Sequence, residues 1–133
     1  MAYSWKPQLN YDTAAYWEGC ARKELIITRC QDCKYWIHPP KALCPSCWSD
    51  NIGHEKANGD ATIYTFTVVP PRGDAKNSSV TIWGELAEQE HLFLIADLEG
   101  GFVEGIEIGD PIKLSWVDFH GSTVPGFRRV TNK

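Results

Sequence analysis

The sequence predicts a mainly β protein built from a short N-terminal helix, a compact four-cysteine module and a small antiparallel β-barrel. Three observations carry that prediction. Four of the five cysteines stand as two close pairs, Cys30 with Cys33 and Cys44 with Cys47. Downstream of them, four runs rich in β-branched and aromatic residues recur at short intervals between glycines and prolines. A short helical run stands between Asp12 and Gly19, ahead of the cysteines at 30–47.

In chain order, residues 1–10 contain Pro7 and read as an extended arm. Asp12 suits the N-cap of a helix through Thr13–Glu18, which Gly19 then weakens. Tyr16, Trp17 and Cys20 fall on one side of that helix, and packing is the expected use of such a stripe. Leu25–Arg29 is a short β-prone run leading into Cys30. Asn58-Gly59-Asp60 marks a turn. Strand runs follow at Ala61–Val69, Val80–Ala87, Leu92–Leu98 and Ile112–Phe119, bounded by Pro70-Pro71, Gly73, Gly100-Gly101 and Gly109-Asp110-Pro111. Strict alternation in the first would put Tyr64, Phe66 and Val68 on one face, with Ile63 and the threonines on the other. Residues 120–133, with Pro125 and Gly126, read as an irregular tail. The expected division is 1–26 for arm and helix, 27–57 for the cysteine module and 58–133 for the barrel with its tail.

Composition places the chain among ordinary globular proteins, with 43% hydrophobic and 23% charged residues. No apolar run approaches the roughly 18 residues that span a bilayer. The N-terminal residues lack the apolar core of a secretory signal, so a cytoplasmic location is expected, where paired cysteines more often hold metal than form disulfides. Charge is uneven. Glu85–Asp118 holds nine acids and one base, Lys113, whereas Arg22–Lys41 holds five bases and two acids. Nucleic-acid binding needs a basic face, and the barrel half is acidic, which counts against DNA or RNA as a ligand.

The cysteine spacing is the most specific signal. A two-residue spacer lets both thiolates of a pair reach one ion from a tight turn, and two such turns complete a tetrahedron. Cys30, Cys33, Cys44 and Cys47 are therefore expected to hold one Zn²⁺; tetrathiolate geometry also accepts iron. Four protein ligands leave no position for an activated water, so the metal is structural. Two such motifs outside a βαβ context do not suit a redox pair. Cys20 is the odd cysteine, expected as a buried small hydrophobe.

No catalytic constellation accompanies the site. His38, His54, His91 and His120 match no metal or triad spacing, and there is no GxSxG, HExxH or phosphate loop. Glu85, Glu88 and Glu90 are explained by a solvated hairpin edge. Tryptophan is abundant (Trp5, Trp17, Trp36, Trp48, Trp83, Trp116), and aromatic anchors are enriched at protein interfaces.

Taken together, Tyr16-Trp17-Glu18-Gly19, the run from Leu25 into Cys30-Gln31-Asp32-Cys33, Pro39-Pro40-Lys41 before Cys44-Pro45-Ser46-Cys47, Gly59 with Ile63–Val69, Ile108–Ile112 and Val124–Phe127 resemble a known family. It is the family of zinc-ribbon OB-fold proteins that accompany thiolase-like enzymes. Ala61 and Gln89 stand where that family tends to have glycine, and Lys41 where arginine is common. The resemblance implies N-terminal helices, a rubredoxin-like zinc ribbon and a C-terminal OB-fold barrel. It also implies a non-catalytic accessory subunit of a thiolase-superfamily enzyme acting on acyl-CoA thioesters, with catalytic residues on the partner. On that reading Arg22, Lys23, Lys34 and Lys41 could meet coenzyme A, and Trp17, Trp36 and Trp48 could face the partner. The competing reading is a nucleic-acid-binding zinc-ribbon/OB module.

Overall fold

The computed structural model describes residues 6–71, 78–101 and 105–130; Trp5 and Gly73 lie outside them. One helix, α1 (Ala14–Ala21), precedes eight strands: β1 (Ile26–Cys30), β2 (Trp36–Ile37), β3 (Ile52–Lys56), β4 (Asp60–Val69), β5 (Ser79–Leu86), β6 (Phe93–Asp97), β7 (Pro111–Phe119) and β8 (Ser122–Arg129). No described helix is long and apolar enough to cross a membrane. The chain divides into two compact units, Met1–Asn58 with Trp116–Pro125, and Gly59–Ser115 with Gly126–Lys133.

In the first unit the helix does not start as the sequence suggests. Asn10, not Asp12, organises the N-terminus: its side-chain oxygen accepts the backbone N–H groups of Asp12 and Thr13, both at 2.9 Å. An asparagine satisfies orphan donors two and three residues on as well as an aspartate does, and Asn10 sits where the turn begins. Gly19, read as a weakness, is a packing requirement. A Cβ there would lie 2.5 Å from Ile26 Cγ1 and 2.8 Å from the Glu24 carbonyl, so only glycine lets α1 approach β1. β1 is the centre of a three-stranded antiparallel sheet ordered β2-β1-β3.

The second unit is a nearly closed barrel. Most of the sheet β6-β5-β4-β7-β8 lies in it, while Trp116–Pro125, the end of β7 and the start of β8, belong to the first unit. A parallel bridge between Leu98 and Phe127 brings the two ends of that order together, with Glu99 N–H donating to the Phe127 carbonyl at 2.6 Å. Five strands in that order, closed by a parallel contact between the third and fifth of them in chain order, are the OB topology. β4 carries a register shift between Ile63, opposite Gly84, and Thr65, opposite Trp83, so Tyr64 is the extra residue of a β-bulge. The bulge overturns strict alternation. Ile63, Phe66 and Val68 now share the face of their partners Gly84, Ile82 and Val80, of which Ile82 and Val80 are fully buried, while Tyr64 is turned out and 48% exposed.

Residues 122–129, expected as tail, form β8. Pro125 is tolerated because β8 ends the sheet order, where a missing N–H breaks no ladder on its outer side. Its Phe127 is fully buried and lies over Gly84, where a Cβ would meet the ring at 2.6 Å.

Candidate metal centre

The two cysteine pairs sit on two turns of the same construction. In the first, Cys30 N–H donates to the Tyr35 carbonyl at 2.9 Å and Lys34 N–H to the Cys30 carbonyl at 3.1 Å. In the second, Cys44 N–H donates to the Ser49 carbonyl at 2.9 Å and Trp48 N–H to the Cys44 carbonyl at 2.8 Å. The residue after each pair adopts a left-handed backbone, Lys34 at φ 68° and Trp48 at φ 66°. That conformation closes the knuckle and turns both thiols of a pair inward. Backbone amides support the sulfurs, Cys33 N–H at 3.4 Å from Cys30 Sγ and Ser46 N–H at 3.3 Å from Cys44 Sγ.

The knuckles face each other across the ribbon. Cys30 Sγ is 3.6 Å from Cys47 Sγ, Cys33 Sγ is 3.6 Å from Cys44 Sγ, and all four sulfurs lie within 4.8 Å of one another. A tetrahedron with Zn–S bonds of about 2.3 Å has sulfur–sulfur edges of about 3.8 Å. The four thiols therefore form a zinc ribbon site for one structural Zn²⁺ with little further movement. Cys30 and Cys44 are buried against Ile37 and Ile52, while Cys33 and Cys47 are solvent-exposed.

Side chains that the spacing did not single out hold the knuckles in place. The Asp32 carboxylate, from the first knuckle, accepts the Ser49 hydroxyl and, at 3.0 Å, the Asn51 amide, both from beyond the second. Arg29 lies over the Trp36 ring at 4.4 Å, donates from Nε to the Lys34 carbonyl at 2.8 Å and pairs with Glu55 at 2.9 Å. It thereby braces the left-handed Lys34. The one legible sign was polarity: an acid inside the first pair and Ser49-Asp50-Asn51 after the second.

The remaining predicted site residues do not converge. Arg22 is exposed and paired with Glu24 at 3.0 Å. Lys23 follows the helix at φ 61°, and Lys34 occupies its knuckle. Lys41 lines a cavity of about 290 Å³ with Thr28, Asp50, Ile52 and His54. Trp17 packs edge-on against Tyr16, with ring centroids 4.9 Å apart. Trp36 is 7% exposed, beneath Arg29, whereas Trp48 is 74% exposed. Cys20 is fully buried, and burial pushes its thiol up to about 11, so it is no nucleophile at neutral pH.

His38 stacks on Tyr16 with ring centroids 5.2 Å apart, and its Nδ1 has no hydrogen-bond partner. Burial lowers its pKa from 6.5 to about 4. The folded chain thus holds the ring neutral, while the unfolded chain takes up a proton near 6.5. Stability is full above 6.5 and falls as pH drops through the window to about 4, by at most about 3 kcal/mol. Thermal melts across that window should show the fall, and a His38→Phe variant should flatten it; equal slopes would remove His38 as the cause.

Comparison with known proteins adds to this geometry. Residues 17–53 match the family model for the ChsH2 rubredoxin-like zinc ribbon domain. A chain of the Ltp2–ChsH2(DUF35) aldolase superposes with a TM-score of 0.82 at 32% identity, covering 95% of this chain and 100% of that one. A DUF35-family structure of unknown function from Sulfolobus solfataricus gives a TM-score of 0.58 at 16% identity over 75% of this chain and 74% of that one, a likeness of fold alone. Among curated proteins, a probable enoyl-CoA hydratase alpha subunit of Thermomonospora curvata is 33% identical over 92% of this chain. The 3-oxo-4,17-pregnadiene-20-carboxyl-CoA hydratase alpha subunit of Mycobacterium tuberculosis is 29% identical over 86% of it. The chain spans 39% and 36% of those two relatives, respectively.

Proposed function

The chain belongs to the DUF35 family, with a ribbon of the ChsH2 type, and from that premise we propose that it is a non-catalytic accessory subunit of a thiolase-superfamily enzyme that processes acyl-CoA thioesters. The observation that carries this reading is the match over the whole length of a chain from an aldolase complex, ribbon and barrel in one order. The site chemistry agrees. The metal shell is closed by four cysteines, so the zinc has no open position for substrate or water. Among the described residues, the zinc ligands are the one metal-binding cluster, and the odd cysteine is buried. The names of the longer relatives place similar sequence in acyl-CoA hydratases. The matched part is under two fifths of each, so they support the acyl-CoA setting rather than a hydratase reaction here.

On this reading the chain braces its partner, and the reacting residues belong to that partner. Trp48, exposed on the second knuckle, and Trp17 are the aromatic contacts we assign to the interface. Lys41, Lys34, Arg22 and Lys23 are the cations we assign to the phosphates of coenzyme A, with Lys41 foremost because it lines a cavity of about 290 Å³.

The test is affinity purification of the tagged protein from its own cells, with co-eluting proteins identified by mass spectrometry. A stoichiometric thiolase-superfamily enzyme is expected, and it should be poorly soluble or poorly active alone. Recovery of nucleic acid in its place would overturn the reading in favour of an OB binding module, and an enzyme fully active without this chain would make the subunit dispensable.

A further inference from the structure

The outward face of the β4–β5–β6 sheet carries an aromatic platform that neither the metal site nor the barrel core uses. Cross-strand pairs set it out in rows: Thr81 opposite Asp97, Trp83 opposite Ile95, and Glu85 opposite Phe93. The bulge adds Tyr64, whose ring reaches across to Phe93 with centroids 4.6 Å apart, and Trp83 meets the same ring edge-on at 5.6 Å. Tyr64, Trp83 and Ile95 are 48%, 42% and 57% exposed. Tyr64 and Trp83, locked together through Phe93 yet open to solvent beside Ile95, are unusual for surface residues with no partner.

The charge along these strands is acidic, with Lys113 of the adjoining β7 paired to Asp60 at 3.6 Å. β4, β5, β6 and the turn joining β5 to β6 contain Asp60, Glu85, Glu88, Glu90 and Asp97, and no lysine or arginine. The Glu85 carboxylate accepts the His91 N–H at 2.8 Å, and Asp97 accepts the Thr81 hydroxyl at 2.9 Å, so both are fixed beside the rings. Carboxylates repel phosphate, which removes nucleic acid and coenzyme A as occupants. They attract lysine and arginine, and aromatic faces attract the same cations by their quadrupole.

We propose that this face docks an arginine- or lysine-bearing segment of the partner enzyme, its cation over Trp83 and Tyr64 and its charge answered by Glu85, Glu90 and Asp97. The inference rests on the accessory-subunit reading and assigns that reading a surface on the barrel.

The experiment measures affinity of the purified partner for the full-length, zinc-loaded chain across a salt series. Trp83→Ala should weaken binding at least ten-fold, and the double variant Glu90→Lys/Asp97→Lys should do the same while flattening the salt dependence. Zinc content and melting temperature of each variant are measured alongside; Ile95→Ser supplies a second platform variant if Trp83→Ala melts early. If the wild type binds its partner and well-folded variants bind equally tightly, the platform assignment is overturned while the accessory reading stands. If the wild type binds no such enzyme, the accessory reading itself has failed. Binding of single-stranded DNA that is lost with Trp83→Ala would also overturn the assignment.

Discussion

Replacing Cys44 with serine is expected to abolish stoichiometric zinc and unfold the ribbon. Cys44 is buried, lies 3.6 Å from Cys33 Sγ and packs with Cys30, Ile37 and Ile52. A serine hydroxyl is a poor zinc ligand and cannot match the softness of a thiolate. Structural zinc in such modules contributes apparent free energies of about 10–16 kcal/mol, larger than the whole stability of most domains. β1, β2 and β3 total few residues and bury few large side chains, so no core of comparable size replaces the metal. Metal analysis should show zinc falling from one per chain towards none, with amide protection lost across β1–β3. Protection in β4–β6 should persist, because that unit has its own buried core. A chelator acting on the wild type should give the same pattern. A Cys44→Ser protein with full zinc and an unchanged melting temperature would sink the structural-zinc assignment.

Phe127→Ala should be the most damaging truncation in the barrel. The ring is fully buried, its carbonyl receives the bridge that joins β8 to the end of β6, and it fills the space left by the missing side chain of Gly84. Truncating a buried phenylalanine costs about 3–5 kcal/mol, the upper part of that range applying where the surroundings cannot collapse. Here β5 and β8 are held by their ladders, so the cavity stays open. Gly84→Val tests the same contact from the other side. A Cβ at that position already meets Phe127 Cζ at 2.6 Å and Cε2 at 2.9 Å, and backbone-anchored β5 cannot retreat. Denaturant unfolding should place both variants several kcal/mol below wild type. A Phe127→Ala loss under about 1 kcal/mol would mean that β8 is peripheral to the barrel.

The metal site was legible because its ligands announce themselves. Cys30, Cys33, Cys44 and Cys47 are the rarest kind of signal, side chains whose chemistry has few other uses at that spacing. What holds them in place was not legible. Asp32, Ser49 and Asn51 are ordinary polar residues, and only the facing of two knuckles reveals that they meet. The same holds for Arg29, whose contacts with Lys34 and Trp36 on one side and Glu55 on the other join two separate parts of the chain.

Four barrel strands were read nearly to their ends, since β-branched runs between turn residues are a local property. β2 was missed because two residues make no period, and β3 because Gly53, His54 and Glu55 carry little β signal. β8 is not legible because proline and glycine read as breakers, and only the fold shows that the strand ends its sheet.

The sequence alone thus determined the metal ligands, the fold class and β1 with four of the five barrel strands, because ligand chemistry and local propensity act over a few residues. Tertiary structure decided which face each strand presents. One extra residue at Tyr64 reverses the parity of β4, puts Phe66 and Val68 opposite Ile82 and Val80 and brings Tyr64 out beside Phe93. Parity depends on hydrogen-bond register with a partner strand, and register is a property of two distant segments together.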